Sequence, residues 1–193
     1  MAGPKPKARD RLLAAADELF YNRGIHATGV DEIVQRAGTA KTTLYAHFRT
    51  KNDLIAGYLA RRSANWRTQM EAELERADGT PELELDTIFA VLASGCDAPG
   101  FRGCPFINAA AEFPDSAHPA RKVANEHRTW VKNLILERAR AAELEEPETV
   151  ADELVLLYDA AMVGKQFDPA GHAAARARAT AFSIIENATR RTD

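Results

Sequence analysis

The chain has 193 residues, 46% of them hydrophobic and 27% charged, with a net charge of −3. That composition reads as globular rather than disordered, and the length suffices to bury a core in one domain or two small ones. The small net charge hides a division, because residues 1–67 hold 12 Lys/Arg against 6 Asp/Glu, leaving 13 basic and 22 acidic residues for 68–193, so a polyanion is the expected partner of the front only.

In chain order, Leu12, Leu13, Ala16, Leu19 and Phe20 recur at helical spacing and predict a helix over 8–22, which Gly24 ends. A second helix is predicted over 29–37, with Thr28 as its cap and Val30, Ile33, Val34 and Ala37 as its apolar stripe. Gly38 breaks the pattern. A third, short helix follows over 40–47, capped by Thr39. Its Leu44 and the Phe48 that follows are four apart and face inward, so Lys41, Thr42 and Tyr45 face outward with Thr43 and His47 beside them. A longer helix covers 52–76. Asp78-Gly79-Thr80-Pro81 stops and restarts the chain, and helices over 82–95, 105–112, 119–142, 147–166 and 172–189 complete it. No strand-like alternation or internal repeat interrupts this all-α pattern of about nine helices.

Two short helices joined by a tight glycine-containing corner make a helix-turn-helix. The first must brace the second, so both need an inward apolar stripe and small residues at the corner, here Ala37 and Gly38. The outward face of the second needs groups that reach base edges and phosphates, and Lys41, Thr42, Thr43, Tyr45 and His47 are all of that kind.

The segment TGVDEIVQRAGTAKTTLYAHFRTKNDL resembles the DNA-binding signature of the TetR/AcrR regulators. The shared features are Ala37-Gly38, Lys41, Leu44-Tyr45, His47-Phe48 and Lys51, and the likeness covers roughly residues 8–60. It implies a three-helix DNA-binding head over 1–51 and a helical ligand-binding and dimerisation domain over 52–193. It implies a non-enzymatic transcription regulator, a repressor released from double-stranded operator DNA by a small-molecule effector. Thr28 would bond a phosphate from the start of the second helix. Tyr45, His47 and Lys51 would hold the DNA backbone, while Thr39, Lys41, Thr42 and Thr43 would approach base edges. Ala40 stands where many relatives carry Ser, and Thr42 where Gly is frequent, so the tip of the reading helix is bulkier here.

The remaining two-thirds resembles the family less closely. Gly103-Cys104-Pro105-Phe106-Ile107-Asn108 through Glu112 looks like a segment of a subset of these regulators. Asn108 and Glu112 share a helix face, either as polar groups in an apolar pocket or as structural groups that pair with each other or with a backbone group, the structural reading being favoured. Trp66, Phe89, Cys104, Phe106, Trp130, Tyr158 and Met162 complete the candidate effector contacts, with plain core packing as the alternative. Val150, Leu154, Leu157 and Ala161, and then Ala173, Ala174, Ala177, Ala181, Ile184 and Ile185, make two apolar stripes. They suggest that the last two helices pair with a second copy in a four-helix bundle, unless both stripes pack onto their own chain.

No nucleophile–base pair, phosphate loop or metal spacing points to an enzyme or a cofactor. A helical carrier of small apolar compounds remains the rival. No apolar run nears the roughly 20 residues that span a bilayer, and the polar, basic start has no apolar core behind it. The cytoplasm is the expected location, no membrane contact is expected, and Cys96 and Cys104 are read as reduced thiols.

Overall fold

The computed structural model describes residues 7–77 and 79–190, and among them nine helices and no strand. They are α1 Ala8–Arg23, α2 Val30–Ala37, α3 Lys41–His47, α4 Lys51–Ala77, α5 Pro81–Asp97, α6 Pro105–Glu112, α7 Pro119–Ala141, α8 Pro147–Phe167 and α9 Ala173–Arg190. Every boundary lies within two residues of its sequence expectation. The basic start at residues 1–6 and Asp78 of the stop-and-restart segment lie outside the described residues.

Proline explains much of that agreement. Pro81, Pro105, Pro119 and Pro147 each occupy the first residue of their helix, where a missing N–H costs nothing and the fixed φ suits the first turn. The capping residues differ from expectation. Gly29, not Thr28, precedes α2, and Glu32 reaches back to accept from its N–H at 3.0 Å. Ala40, not Thr39, precedes α3 in an extended conformation, with no side-chain cap.

The chain divides into two compact units. Unit 1 comprises the chain up to Ala64 together with Pro105–Asn125, so it extends past residue 51 and takes in α6 and the first turns of α7. Leu12, Ala16, Ile33, Leu44, Leu54 and Leu59 form its fully buried centre, with Phe20, Phe48 and Tyr58 packed around them. Unit 2 comprises Asn65–Cys104 and the chain from Glu126 onward. Leu85, Ile88, Phe89, Ile135 and Leu154 form its centre.

In unit 2 the chain itself covers most of the two C-terminal stripes. Val150, Leu154 and Ala161 of α8 and Ala174, Ala177, Ala181 and Ile185 of α9 are buried against their own neighbours, leaving Leu157, Ala173 and Ile184 half-covered. An apolar stripe records that something covers it, not what does, and here α5, α8 and α9 cover one another.

Candidate nucleic-acid interface

The helix-turn-helix is built around the corner between α2 and α3. Gly38 adopts the left-handed conformation, φ 59° and ψ 45°, which a glycine enters without strain. Its N–H donates to the Gln35 carbonyl at 3.1 Å, and the Thr39 N–H donates to the Val34 carbonyl at 3.1 Å. The free carbonyl of Ala37 accepts from Arg11 Nε of α1 at 3.1 Å. Arg36 of α2 forks onto Glu18 of α1 with contacts of 2.9 and 2.8 Å. The two helices are thus braced against α1 as well as against each other.

On α3 the inward residue Leu44 is fully buried, and Phe48 just after the helix is buried as well. That pair fixes the rotation of the helix. Lys41, Thr42, Tyr45 and His47 are consequently exposed and Thr43 half-exposed, with the Tyr45 ring 44% accessible, a large value for an aromatic side chain. Lys41 Nζ lies 2.8 Å from Asp31 Oδ1 of α2. The hydrogen bond to Asp31, and then its charge, raise the lysine pKa above its ordinary value. Arg49, immediately after α3, is exposed on the same stretch of chain and was not singled out by sequence pattern. Its position directly behind the reading helix was the available signal.

Three other sequence candidates sit differently. Thr28 is 1% exposed, and its hydroxyl donates to the Gly24 carbonyl at 2.8 Å and the Leu19 carbonyl at 3.4 Å, closing the end of α1. The Thr39 hydroxyl is buried and meets no hydrogen-bond partner among the described residues. Lys51 Nζ donates to the Ile25 carbonyl at 2.9 Å and lies over the Phe20 ring at 5.9 Å.

These contacts converge on the turn between α1 and α2. Gly24 begins it at φ 95°, a conformation closed to most side chains. From α6, Glu112 accepts the Ile25 N–H at 3.0 Å and the His26 N–H at 2.7 Å, and its own carbonyl meets His26 Nε2 at 3.1 Å. The His26 ring lies 4.8 Å from Phe113, which stacks on His118 at 3.9 Å. Glu112, read from sequence either as a pocket group or as a structural partner of Asn108 or of backbone, gives both carboxylate oxygens to backbone N–H groups 86 and 87 residues away.

Two family profiles match the chain. "Bacterial regulatory proteins, tetR family" covers residues 12–58, and "Tetracyclin repressor-like, C-terminal domain" covers residues 84–181. The chain belongs to the TetR family. It is a DNA-binding transcriptional regulator and not an enzyme. Over 95% of both chains it superposes on the TetR-family regulator SCO4454 of Streptomyces coelicolor, with a TM-score of 0.82 and 32% identity. The transcriptional activator FasR of Mycolicibacterium smegmatis is 47% identical over 62 residues, 32% of this chain and 28% of FasR. The transcriptional repressor ComR of Escherichia coli is 32% identical over 128 residues, 64% of this chain and 60% of ComR. The matched stretches thus span less than two-thirds of either curated relative.

The candidate effector residues of this TetR-family chain separate between the units. Phe106, Asn108 and Glu112 lie in unit 1, whereas Trp66, Phe89, Cys104, Trp130, Tyr158 and Met162 lie in unit 2. Phe89 meets Tyr158 edge-on at 6.3 Å, and burial drives the Tyr158 pKa well above the ordinary tyrosine value. Burial likewise pushes the Cys96 thiol up to about 11, which keeps it protonated and poorly nucleophilic.

Sequence pattern missed His127 of α7, which is 6% exposed and lies 5.9 Å from the Trp130 ring. Burial first, and the Arg67 charge second, lower its pKa to about 4. The folded protein therefore binds this proton only near pH 4, whereas the unfolded chain binds it near pH 6.5. Stability is lost as pH falls through that window, by about 3 kcal/mol in full. His127→Gln is expected to flatten this part of the acid limb, as read from urea unfolding midpoints between pH 7 and pH 4. Parallel pH profiles for the two proteins would show that His127 is not the group responsible.

Proposed function

We propose that this chain is a homodimeric repressor that holds operator DNA through α3 and releases it when a small effector binds unit 2. The observation that carries the reading is the outward presentation of Lys41, Thr42, Thr43, Tyr45 and His47 while Leu44 and Phe48 lock the helix behind them. Lys41, Thr42 and Thr43 take base edges. Tyr45, His47 and Arg49 take phosphates. Thr28 and Lys51 act one step back, holding the α1–α2 turn.

One short reading helix binds weakly, and two-fold pairing supplies the second. The pairing surface is the part of α8 and α9 left uncovered. Thr149, Glu153, Leu156 and Ala160 follow helical spacing on α8 and are all exposed, Leu156 to 65%. Exposed Thr180 and Ser183 and half-buried Ile184 offer small and apolar surface on α9. Between the two helices runs a groove of about 300 Å³ lined by residues including Thr149, Glu153 and Ile184. A second copy laid across it gives a four-helix arrangement.

Release follows if the effector binds the form that does not fit DNA more tightly than the form that does. Helices α4 and α7 each contribute residues to both units and provide the continuous chain between the effector-binding unit and the head. Selection of bound sequences from a random duplex pool tests the reading. A two-fold symmetric site is expected, with half-sites roughly 34–36 Å apart. Leu156→Glu is expected to yield monomers in sedimentation and to weaken binding to that site about 100-fold. Failure to enrich any sequence overturns the operator reading, and a Leu156→Glu protein that stays dimeric overturns the proposed pairing surface.

A further inference from the structure

Between residues 7 and 62 nearly every cation is answered inside the protein. Arg23, Arg36, Lys41 and Arg62 each pair with a carboxylate. Arg11, Lys51 and Arg61 donate to backbone carbonyls. Among the described residues, Lys7, Arg9 and Arg49 have neither an ion pair nor a side-chain hydrogen bond, and all three are exposed.

Arg9 nevertheless has a fixed place. Its guanidinium lies over the Phe48 ring, 5.4 Å from the centroid. Phe48 is buried and also packs against Gly57 of α4, where an added Cβ would lie 3.2 Å from Phe48 Cε1. Phe48 directly follows α3, with exposed His47 before it and exposed Arg49 after it. The ring thus holds a cation of α1 beside the segment by which the chain leaves the reading helix. Arg9 also lies outside the 12–58 stretch that the family profile covers.

A guanidinium laid on an aromatic face keeps its N–H donors at its edge, and that planar fork matches the oxygens of a phosphate. Lys41 must release Asp31 before it meets DNA, whereas Arg9 and Arg49 have no carboxylate to displace among the described residues. Anchored on Phe48, Arg9 sits off the outward face of α3 and meets the wall of a groove rather than base edges on its floor.

We propose that Arg9 is a DNA contact, gripping a backbone phosphate beside the end of α3 together with Arg49. The proposal rests on the reading that α3 enters the major groove, and it extends the DNA-binding surface to the start of α1. Lys7 has no comparable anchor and lies outside this clamp.

Salt dependence of binding tests it, because a phosphate contact contributes to every sequence alike. Arg9→Met keeps an unbranched side chain over Phe48 and removes the charge. It is expected to weaken both the selected site and an unrelated duplex by about three- to tenfold at about 0.1 M salt, and to lower the salt slope by about one unit. Arg9→Lys keeps the charge and most of the slope. When single phosphates are replaced by neutral methylphosphonates, the parent should lose affinity at a position in each half-site where Arg9→Met loses none. Thermal unfolding of both variants confirms that they fold.

An Arg9→Met protein with the parent's affinity and slope overturns the proposal. So does one whose affinity falls at an unchanged slope, because that loss belongs to packing on Phe48. Lys41→Ala measured alongside separates the two readings. A slope lowered by Lys41→Ala but not by Arg9→Met sinks the clamp alone, and the opposite pattern keeps the clamp and sinks the entry of α3.

Discussion

Replacing Lys41 and Tyr45 together by alanine is expected to weaken operator binding about 100-fold or more. Both side chains are exposed and neither supports the core, so the melting temperature should move by no more than about 2 °C. The salt dependence should also become shallower, by about one unit of slope at most, because the variant loses the Lys41 charge from the DNA-facing surface while Tyr45 carries none. Asp31 provides the internal control. Its carboxylate holds Lys41 Nζ at 2.8 Å in the free protein, and Lys41 must leave it to meet DNA. Asp31→Asn removes that competitor and one negative charge from the DNA-facing surface, so it should bind the same duplex at least as tightly as the parent. Fluorescence anisotropy at several salt concentrations reads both effects. A double variant that retains full affinity would mean that α3 does not enter the groove.

Helix boundaries were legible because the chemistry that sets them is local. Four prolines start four helices, and Gly38 supplies a backbone conformation that the corner after α2 requires. The orientation of α3 was legible for the same reason, since Leu44 and Phe48 are the large apolar residues of that segment and four positions apart. What escaped the sequence was the choice among partners. Thr28 carries a hydroxyl at a helix start, and pattern assigns it outward to a phosphate. In three dimensions the Gly24 carbonyl at the end of α1 lies four residues behind it and draws it inside. Lys51 is a cation beside a DNA-facing helix, but the Ile25 carbonyl is within its reach. Ala174, Ala177 and Ala181 make a stripe suited to close helix packing, and the helix they meet belongs to the same chain. For Lys51 and the alanine stripe the residue type was read correctly and the neighbour lay beyond the range of local periodicity, whereas Thr28 meets a carbonyl only four residues away that competes with the outward role.

Glu112→Ala is expected to loosen the head from its α1–α2 turn without disturbing unit 2. The Ile25 side chain is 3% exposed and its N–H donates to Glu112, so that N–H has little access to water once the carboxylate is gone. Leaving a part-buried amide unmet, and losing a second charge-assisted bond at His26, costs the head about 2 kcal/mol. Amide hydrogen exchange at Ile25 and His26 should accelerate by more than tenfold, while amides in the centre of α8 keep their rates. Glu112→Gln retains one acceptor oxygen and should fall between the two proteins. The consequence for DNA follows from where the turn sits. It leads directly into α2, and α2 braces α3 through the Gly38 corner, so freedom at Ile25 becomes freedom in the aim of the reading helix. Holding that helix in register before binding is part of the affinity, and its loosening should lower operator affinity about tenfold even though every DNA-facing side chain is intact. If exchange at Ile25 and His26 were unchanged in Glu112→Ala, the carboxylate would not hold the turn in solution. If exchange rose but operator affinity did not fall, the turn would be held without aiming α3.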